Sequence, residues 1–201
     1  DTETIKYDAI GNPTTYLGAS LSWYGRQLTS YTVEDDTNTT ANEMLKVTYT
    51  YNTEGLSGTK TVNGTKSTYH YVSGKLRYET RGNLKFYYFY DASGNLSAIR
   101  YYDANGKSYA YFALTNAQGD VVAFYTGAGV CVVTYEYDAW GNVVKTTDTT
   151  GINFAELNPI RYRGYYYDTE TKLYFLKTRY YDPEIGRCMT IDDIKYLNSR
   201  M

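Results

Sequence analysis

The chain has 201 residues, with 20 Lys and Arg against 22 Asp and Glu, for a net charge of −2. That length suits one domain, or two small ones sharing a sheet, and it can bury a core. The near-neutral balance gives no argument for a nucleic-acid or anionic-membrane partner, and the sequence lacks an apolar run of about 18 residues that would span a membrane, so neither nucleic-acid binding nor membrane insertion is expected. Asp1 opens directly into polar, strand-like sequence, which leads to the expectation of either a cytosolic protein or an internal piece of something longer.

Tyrosine is the outlying residue: 27 of them, against 6 Phe, 2 Trp and 3 Pro. With the abundant threonines, this composition favours pleated, half-buried surfaces and a β-rich fold. Burying one ring removes about 150–250 Å² from water, an upper bound of about 4–6 kcal/mol, but a buried hydroxyl without a partner returns about 1–3 kcal/mol of that. So many tyrosines predict sheet faces whose ring tips reach water or one another.

In chain order, a hairpin-corner motif recurs: "YDAIGN" from Tyr7, the shorter "WYGRQL" from Trp23, "YNTEGL" from Tyr51, "YVSGKL" from Tyr71, "YDASGN" from Tyr90, "YDANGK" from Tyr102, "TNAQGD" ending at Asp120, and "YDAWGN" from Tyr137. The spacing is irregular, so this is not a fixed-period solenoid. Asp or Asn opens a type I turn, its side chain accepting the turn's own N–H groups, and the Gly three residues later takes positive φ. The tyrosine is then expected as the last strand residue. Flanking strands alternate with period two. In "KVTYTYN" Val47, Tyr49 and Tyr51 oppose Lys46, Thr48 and Thr50; in "VTYEYD" Val133, Tyr135 and Tyr137 oppose Thr134 and Glu136. "YTVEDDTNTTANEM" reads as a polar loop. "GAGV" at Gly127 reads as a hairpin turn, because no lysine of a phosphate-binding loop follows it. "KTTDTTGINFAELNPI" reads as a long connection, with "FAEL" able to form one helical turn.

Other chemistry is sparse. His70, the one histidine, lies mid-strand in "STYHYV" without a nucleophile elbow and reads as a strand residue. Cys131 and Cys188 lack metal-ligand spacing, so no metal or cofactor is expected; an extracellular disulfide is conceivable, and two buried thiols are the preferred reading.

The stretch from Arg161 to Asp193, "RYRGYYYDTETKLYFLKTRYYDPEIGRCMTIDD", resembles the associated core of Rhs, or YD-repeat, proteins, whose pattern is roughly R-Y-x-G, a tyrosine-rich run, D-x-E-x-G-L-Y-Y and R-Y-Y-D-P-x-x-G-R-F. Arg161, Arg163, Gly164, Tyr180, Tyr181, Pro183, Gly186 and Arg187 carry the match, and the upstream corners look like YD repeats. The resemblance implies an all-β fold: an antiparallel hairpin ribbon over residues 1–150 curling into an open shell or barrel-like sheet, with an associated core over 151–201 packed inside. It also implies a secreted or cell-surface protein whose shell encloses or presents a C-terminal toxin domain of the same parent chain. Three departures stand out: Lys172 replaces the glycine of G-L-Y-Y, Cys188 replaces phenylalanine, and "DDIKYL" (Asp192 to Leu197) stands where self-cleaving members carry D-P-x-G-L.

Self-cleavage by an aspartyl mechanism needs two carboxylates close enough to share a proton. The family points to Asp168 and Asp193, with Arg179, Asp182 and Asp192 in support; the plainer reading makes Asp168 and Asp182 turn residues. Arg161, Arg163, Arg179 and Arg187 could pair with these acids or stack on tyrosine faces, with a phosphate or sugar site as the functional alternative. Exposed tyrosine faces leave a third alternative, a module binding cell-surface glycans.

Overall fold

The computed structural model describes residues 5–34 and 44–190. Fourteen strands form one antiparallel sheet in simple chain order: β1 (Lys6–Tyr7), β2 (Pro13–Tyr16), β3 (Ala19–Tyr24), β4 (Gln27–Glu34), β5 (Met44–Tyr51), β6 (Ser57–Val62), β7 (Thr65–Val72), β8 (Lys75–Arg81), β9 (Leu84–Tyr90), β10 (Leu96–Tyr102), β11 (Ser108–Thr115), β12 (Val121–Tyr125), β13 (Cys131–Tyr137) and β14 (Val143–Asp148). A one-turn helix, α1 (Phe154–Leu157), and a 3-10 turn over Tyr162–Gly164 lead into a small sheet of β15 (Tyr166–Asp168), β16 (Leu173–Phe175), β17 (Tyr180–Asp182) and β18 (Arg187–Cys188).

Local chemistry explains the meander. Asp8 accepts the Ile10 and Asn12 N–H groups on Oδ1 at 3.0 and 2.9 Å, while Gly11, at φ 83°, donates to the Asp8 carbonyl. Asn52, Asp103, Asn116 and Asp138 repeat that geometry. The side chain satisfies two N–H groups that the tight corner would otherwise orphan. "YVSGKL" is different: Ser73 and Gly74 both take positive φ in a two-residue turn, and Val72, not Tyr71, ends the strand.

Alternation sorts the strands into two faces. On β9, Phe86 and Tyr88 are buried while Lys85, Tyr87 and Phe89 are exposed; on β13, Val133 and Tyr135 are buried and Glu136 is exposed. The buried face is the concave one. It forms one core from β7–β13 closing over Phe154, Ala155 and Ile160, and a second from β2–β5 closing over Leu173, Phe175, Tyr180 and Met189. Residues 154–189 therefore plug the curl of the sheet, the first half on one wall and the second half on the other.

The sheet is open, since β1 and β14 end its order, and the plug bridges its two ends. The Tyr16 hydroxyl on β2 donates to Asp182 at 2.5 Å, and the adjacent Pro183 carbonyl accepts from Asn142, past β13, at 2.9 Å. Antiparallel order places the turns after β9, β11 and β13 at the same rim. The plug covers that rim: Arg163 N donates to Asp120, Tyr162 Oη to the Ala139 carbonyl, Tyr174 Oη to Gly141 and Tyr181 Oη to Trp140.

Beyond the "YVSGKL" corner, the sequence reading needs three adjustments. Strand β14 takes in Lys145–Asp148, the start of the supposed connection, and β4 extends through Glu34 into the supposed polar loop. Cys131 is exposed and Cys188 partly so, both as free thiols, so neither is the buried thiol expected.

Candidate functional site

The sheet–plug contact is rich in buried polar groups, and two clusters organise it. In the first, Lys60 takes an inward position on β6 and reaches Asp168 Oδ1 at 3.1 Å and Glu170 Oε2 at 2.6 Å, while the Tyr49 hydroxyl donates to Asp168 Oδ2 at 2.7 Å. Asp168 ends β15 and Glu170 lies in the turn that follows, so one lysine of the wall holds both acids of the plug. Burial pushes the Asp168 carboxyl up to about 6, against the pull of Lys60. Glu170 is held down at about 2: burial opposes this, but hydrogen bonding within the cluster and the Lys60 charge outweigh it. Burial also opposes the Lys60 charge, yet Asp168, Tyr69 and Glu170 raise the ammonium above its ordinary range.

In the second cluster Glu79 on β8 is fully buried. It accepts from Arg81 Nε at 2.5 Å, from Tyr88 Oη at 2.7 Å and from plug Tyr166 Oη at 2.8 Å, and Arg81 Nη1 donates to the Leu157 carbonyl at 2.8 Å. Burial first, then the Glu79 charge, raises the Tyr88 hydroxyl well above its ordinary value. The tyrosine hydroxyls thus end largely on carboxylates and backbone carbonyls, which is how a ring-rich interior avoids the penalty of unpaired O–H groups.

Of the acids singled out from sequence, Asp168 and Asp182 are both buried in the plug, bonded to different wall tyrosines, Tyr49 and Tyr16. Asp182 Oδ1 also accepts Glu184 N at 2.7 Å, the turn role expected of it. Arg179 lies between β16 and β17, its carbonyl accepting from Leu176 N. Asp192 and Asp193 lie outside the described residues. Arg161 is buried, stacks its guanidinium 4.6 Å from the Tyr167 ring centroid and donates to the Ala155 and Asn158 carbonyls. Arg163 stacks on Tyr162 at 5.3 Å. Tyr180 is buried with its hydroxyl 3.2 Å from that of Tyr51, and Arg187 pairs opposite Asp182. Lys172 has φ 59°, the left-handed region that explains a glycine at this place in the family pattern.

Two glycines permit close approach. A Cβ on Gly141, at φ 97°, would lie 2.5 Å from Tyr162 Cδ1, and one on Gly186, at φ 66°, would lie 2.7 Å from Trp140 Cε3. Gly141→Ala combines overpacking with a left-handed backbone and is expected to cost about 2–3 kcal/mol in urea denaturation. A loss below about 0.5 kcal/mol would mean the Tyr162 ring is not seated on that turn.

A curled meander of YD-type corners closed around its own C-terminal segment defines a class, the YD-repeat shells. The family model described as the teneurin YD-shell matches residues 77–200, and this chain belongs to that family, that of the Rhs or YD-repeat proteins. It is 37% identical over 193 residues to the tRNA3(Ser)-specific nuclease WapA of Bacillus spizizenii and 38% identical over 193 residues to the tRNA nuclease WapA of Bacillus subtilis, each match covering 94% of this chain. The chain spans 8% of the length of these relatives. A 60-residue stretch is 38% identical to the double-stranded DNA deaminase toxin A of Burkholderia cenocepacia, covering 29% of this chain and 4% of that protein. The fold matches a crystal structure of TcdB2-TccC3 with a TM-score of 0.71 at 21% identity, covering 94% of this chain and 10% of that one. Among the described residues no helix is long and apolar enough to cross a membrane.

Proposed function

We propose that this chain is a non-enzymatic wall-and-plug section of an Rhs-type toxin shell, residues 1–150 forming wall and 151–201 the associated core, which encloses or presents a toxin domain of its parent chain. The observation carrying this reading is the plug itself: residues 154–189 fill the concave face and seal one rim through Tyr162, Tyr174 and Tyr181. Names of relatives that denote a nuclease and a deaminase toxin support a toxic cargo outside the matched stretch. A secreted or surface-exposed parent suits that role.

The test is limited proteolysis of a longer parent chain that includes its C-terminal region. That region is expected to resist protease inside the intact shell and to be cut at the free domain's rate once the plug is loosened by Gly141→Ala with Gly186→Ala. Cleavage at the free rate in the unaltered chain would overturn the proposal.

One observation favours a second reading, single-turnover self-cleavage after Leu197. Burial raises the Asp168 carboxyl to about 6, within reach of proton transfer at neutral pH. Both its oxygens are already engaged by Lys60 and Tyr49, which supports the structural role instead. A chain extended past Met201 is expected to keep its intact mass on mass spectrometry, with or without Asp168→Asn or Asp193→Asn. A cleaved product abolished by either substitution would establish the enzyme.

A further inference from the structure

Where the plug meets the sealed rim, a cavity of about 290 Å³ opens between the turns after β7 and β9 and two plug loops. Its walls mix aliphatic side chains such as Leu76, Leu96 and Ile160 with the rings of Tyr71, Tyr90 and Phe175. Its charged lining is Lys75, Arg163 and Lys177, and among the described residues no carboxylate lines it. Lys75 Nζ is held at the mouth by the Gly94 carbonyl at 2.7 Å and sits 5.2 Å from the Tyr90 ring centroid. Lys177, at φ 70°, brings its ammonium to 3.6 Å from where a Cβ on Gly74 would stand. Glycines at both corners thus leave room for two ammonium groups on one opening. Burial, followed by the Lys177 charge, lowers the Lys75 ammonium from its ordinary value, with Asp91 opposing. The cations therefore repel one another without a lining acid to neutralise them.

We infer that this cavity is a binding site for a small organic anion, a phosphate or carboxylate head held by Lys75 and Lys177 with an aromatic body against Tyr71, Tyr90 and Phe175. An anion relieves the like-charge repulsion, and lysine holds phosphate as a point charge. The volume sits at the lower end of the range for small-molecule sites, which fits a single ring with one charged group. Nucleic acid is a poor fit, because the cations converge on a pocket instead of lining a groove.

The whole chain would be titrated by calorimetry and by amide chemical shifts with phenyl phosphate, inorganic phosphate, phenol and a phosphotyrosine pentapeptide. Phenyl phosphate is expected to bind at sub-millimolar concentration and to shift the Gly74, Gly94 and Lys177 amides, with inorganic phosphate and phenol each at least about tenfold weaker. Lys75→Gln with Lys177→Gln is expected to weaken phenyl phosphate at least about tenfold; exposed Lys177→Gln alone, which leaves the packing untouched, should weaken it about threefold. Tighter binding of the peptide than of phenyl phosphate would assign the anion to a side chain of a partner, and equal or weaker binding to a free molecule. No binding by about 10 mM, equal binding of inorganic phosphate, or unchanged affinity in both variants would overturn the inference.

Discussion

Replacing Lys60 with Met is expected to lower the stability of the chain by about 3–5 kcal/mol at neutral pH, because it strips the shared ammonium from two acids of the plug. Asp168 is nearly inaccessible to water and Glu170 three-quarters so; without Lys60 the choice is between an unpaired buried charge and a proton taken up from solvent. The loss is therefore expected to shrink as pH falls and the carboxyls protonate. In the unaltered chain the two carboxyls share Lys60 and titrate as a pair, with shifts of opposite direction. Asp168, raised from 3.8 to about 6, contributes stability fully below its ordinary value, and that contribution is lost as pH rises through about 6. Glu170, lowered from 4.5 to about 2, contributes above its ordinary value and loses that contribution as pH falls towards 2. Together they place the pair's largest contribution between about pH 4 and 5. Asp168→Asn, which resembles the protonated acid, should remove the decline between pH 4 and 6. Urea denaturation across that range is the measurement. A Lys60→Met loss below about 1 kcal/mol, or one independent of pH, would show that the lysine does not tie wall to plug.

Glu79→Ala is expected to cost a similar amount, about 3–5 kcal/mol, and for a related reason. One carboxylate accepts from Arg81, Tyr88 and Tyr166, all packed where water does not reach Glu79. Its removal leaves a guanidinium over the Phe86 ring, 4.4 Å from the centroid, without its Glu79 charge partner, and strips the Tyr88 and Tyr166 hydroxyls of their carboxylate acceptor. Glu79→Gln keeps the shape and an acceptor but not the charge, so about half the loss is expected to return. Equal losses for Ala and Gln would point to charge alone, and a loss below about 1 kcal/mol for Ala would mean that Tyr166 and Arg81 do not converge on this acid.

Much of the fold was legible in the sequence because its signals are local. Asp8, Asn52 and Asp138 bond N–H groups within four residues, so a hexapeptide suffices to foresee the corner. Val133, Tyr135 and Tyr137 share a face because the pleat repeats every two residues. The plug was legible through resemblance, not periodicity. What stayed hidden is long-range: Lys60 and Glu79 look like ordinary solvent-facing charges on polar strands, and their partners Asp168 and Tyr166 lie 108 and 87 residues away. The one available signal was register. Glu79 is two residues before Arg81 and diagonal to Tyr88, so an acid, a base and a hydroxyl fall together on the concave side. "YVSGKL" misled because its Ser-Gly pair also makes a two-residue turn, which moves the strand end by one residue.

The most direct measurement is a set of proton–proton nuclear Overhauser contacts between plug rings and the concave wall. Phe154 should show cross-peaks to Tyr111, whose ring centroid lies 4.2 Å away on β11; Tyr180 to Tyr49 on β5, and Tyr162 to Tyr137 on β13, should show weaker ones at 6.0 Å. Together these contacts would seat one segment on both walls of the curl. Cross-peaks from Phe154, Tyr162 and Tyr180 to plug residues alone would contradict a segment buried in the sheet's concavity.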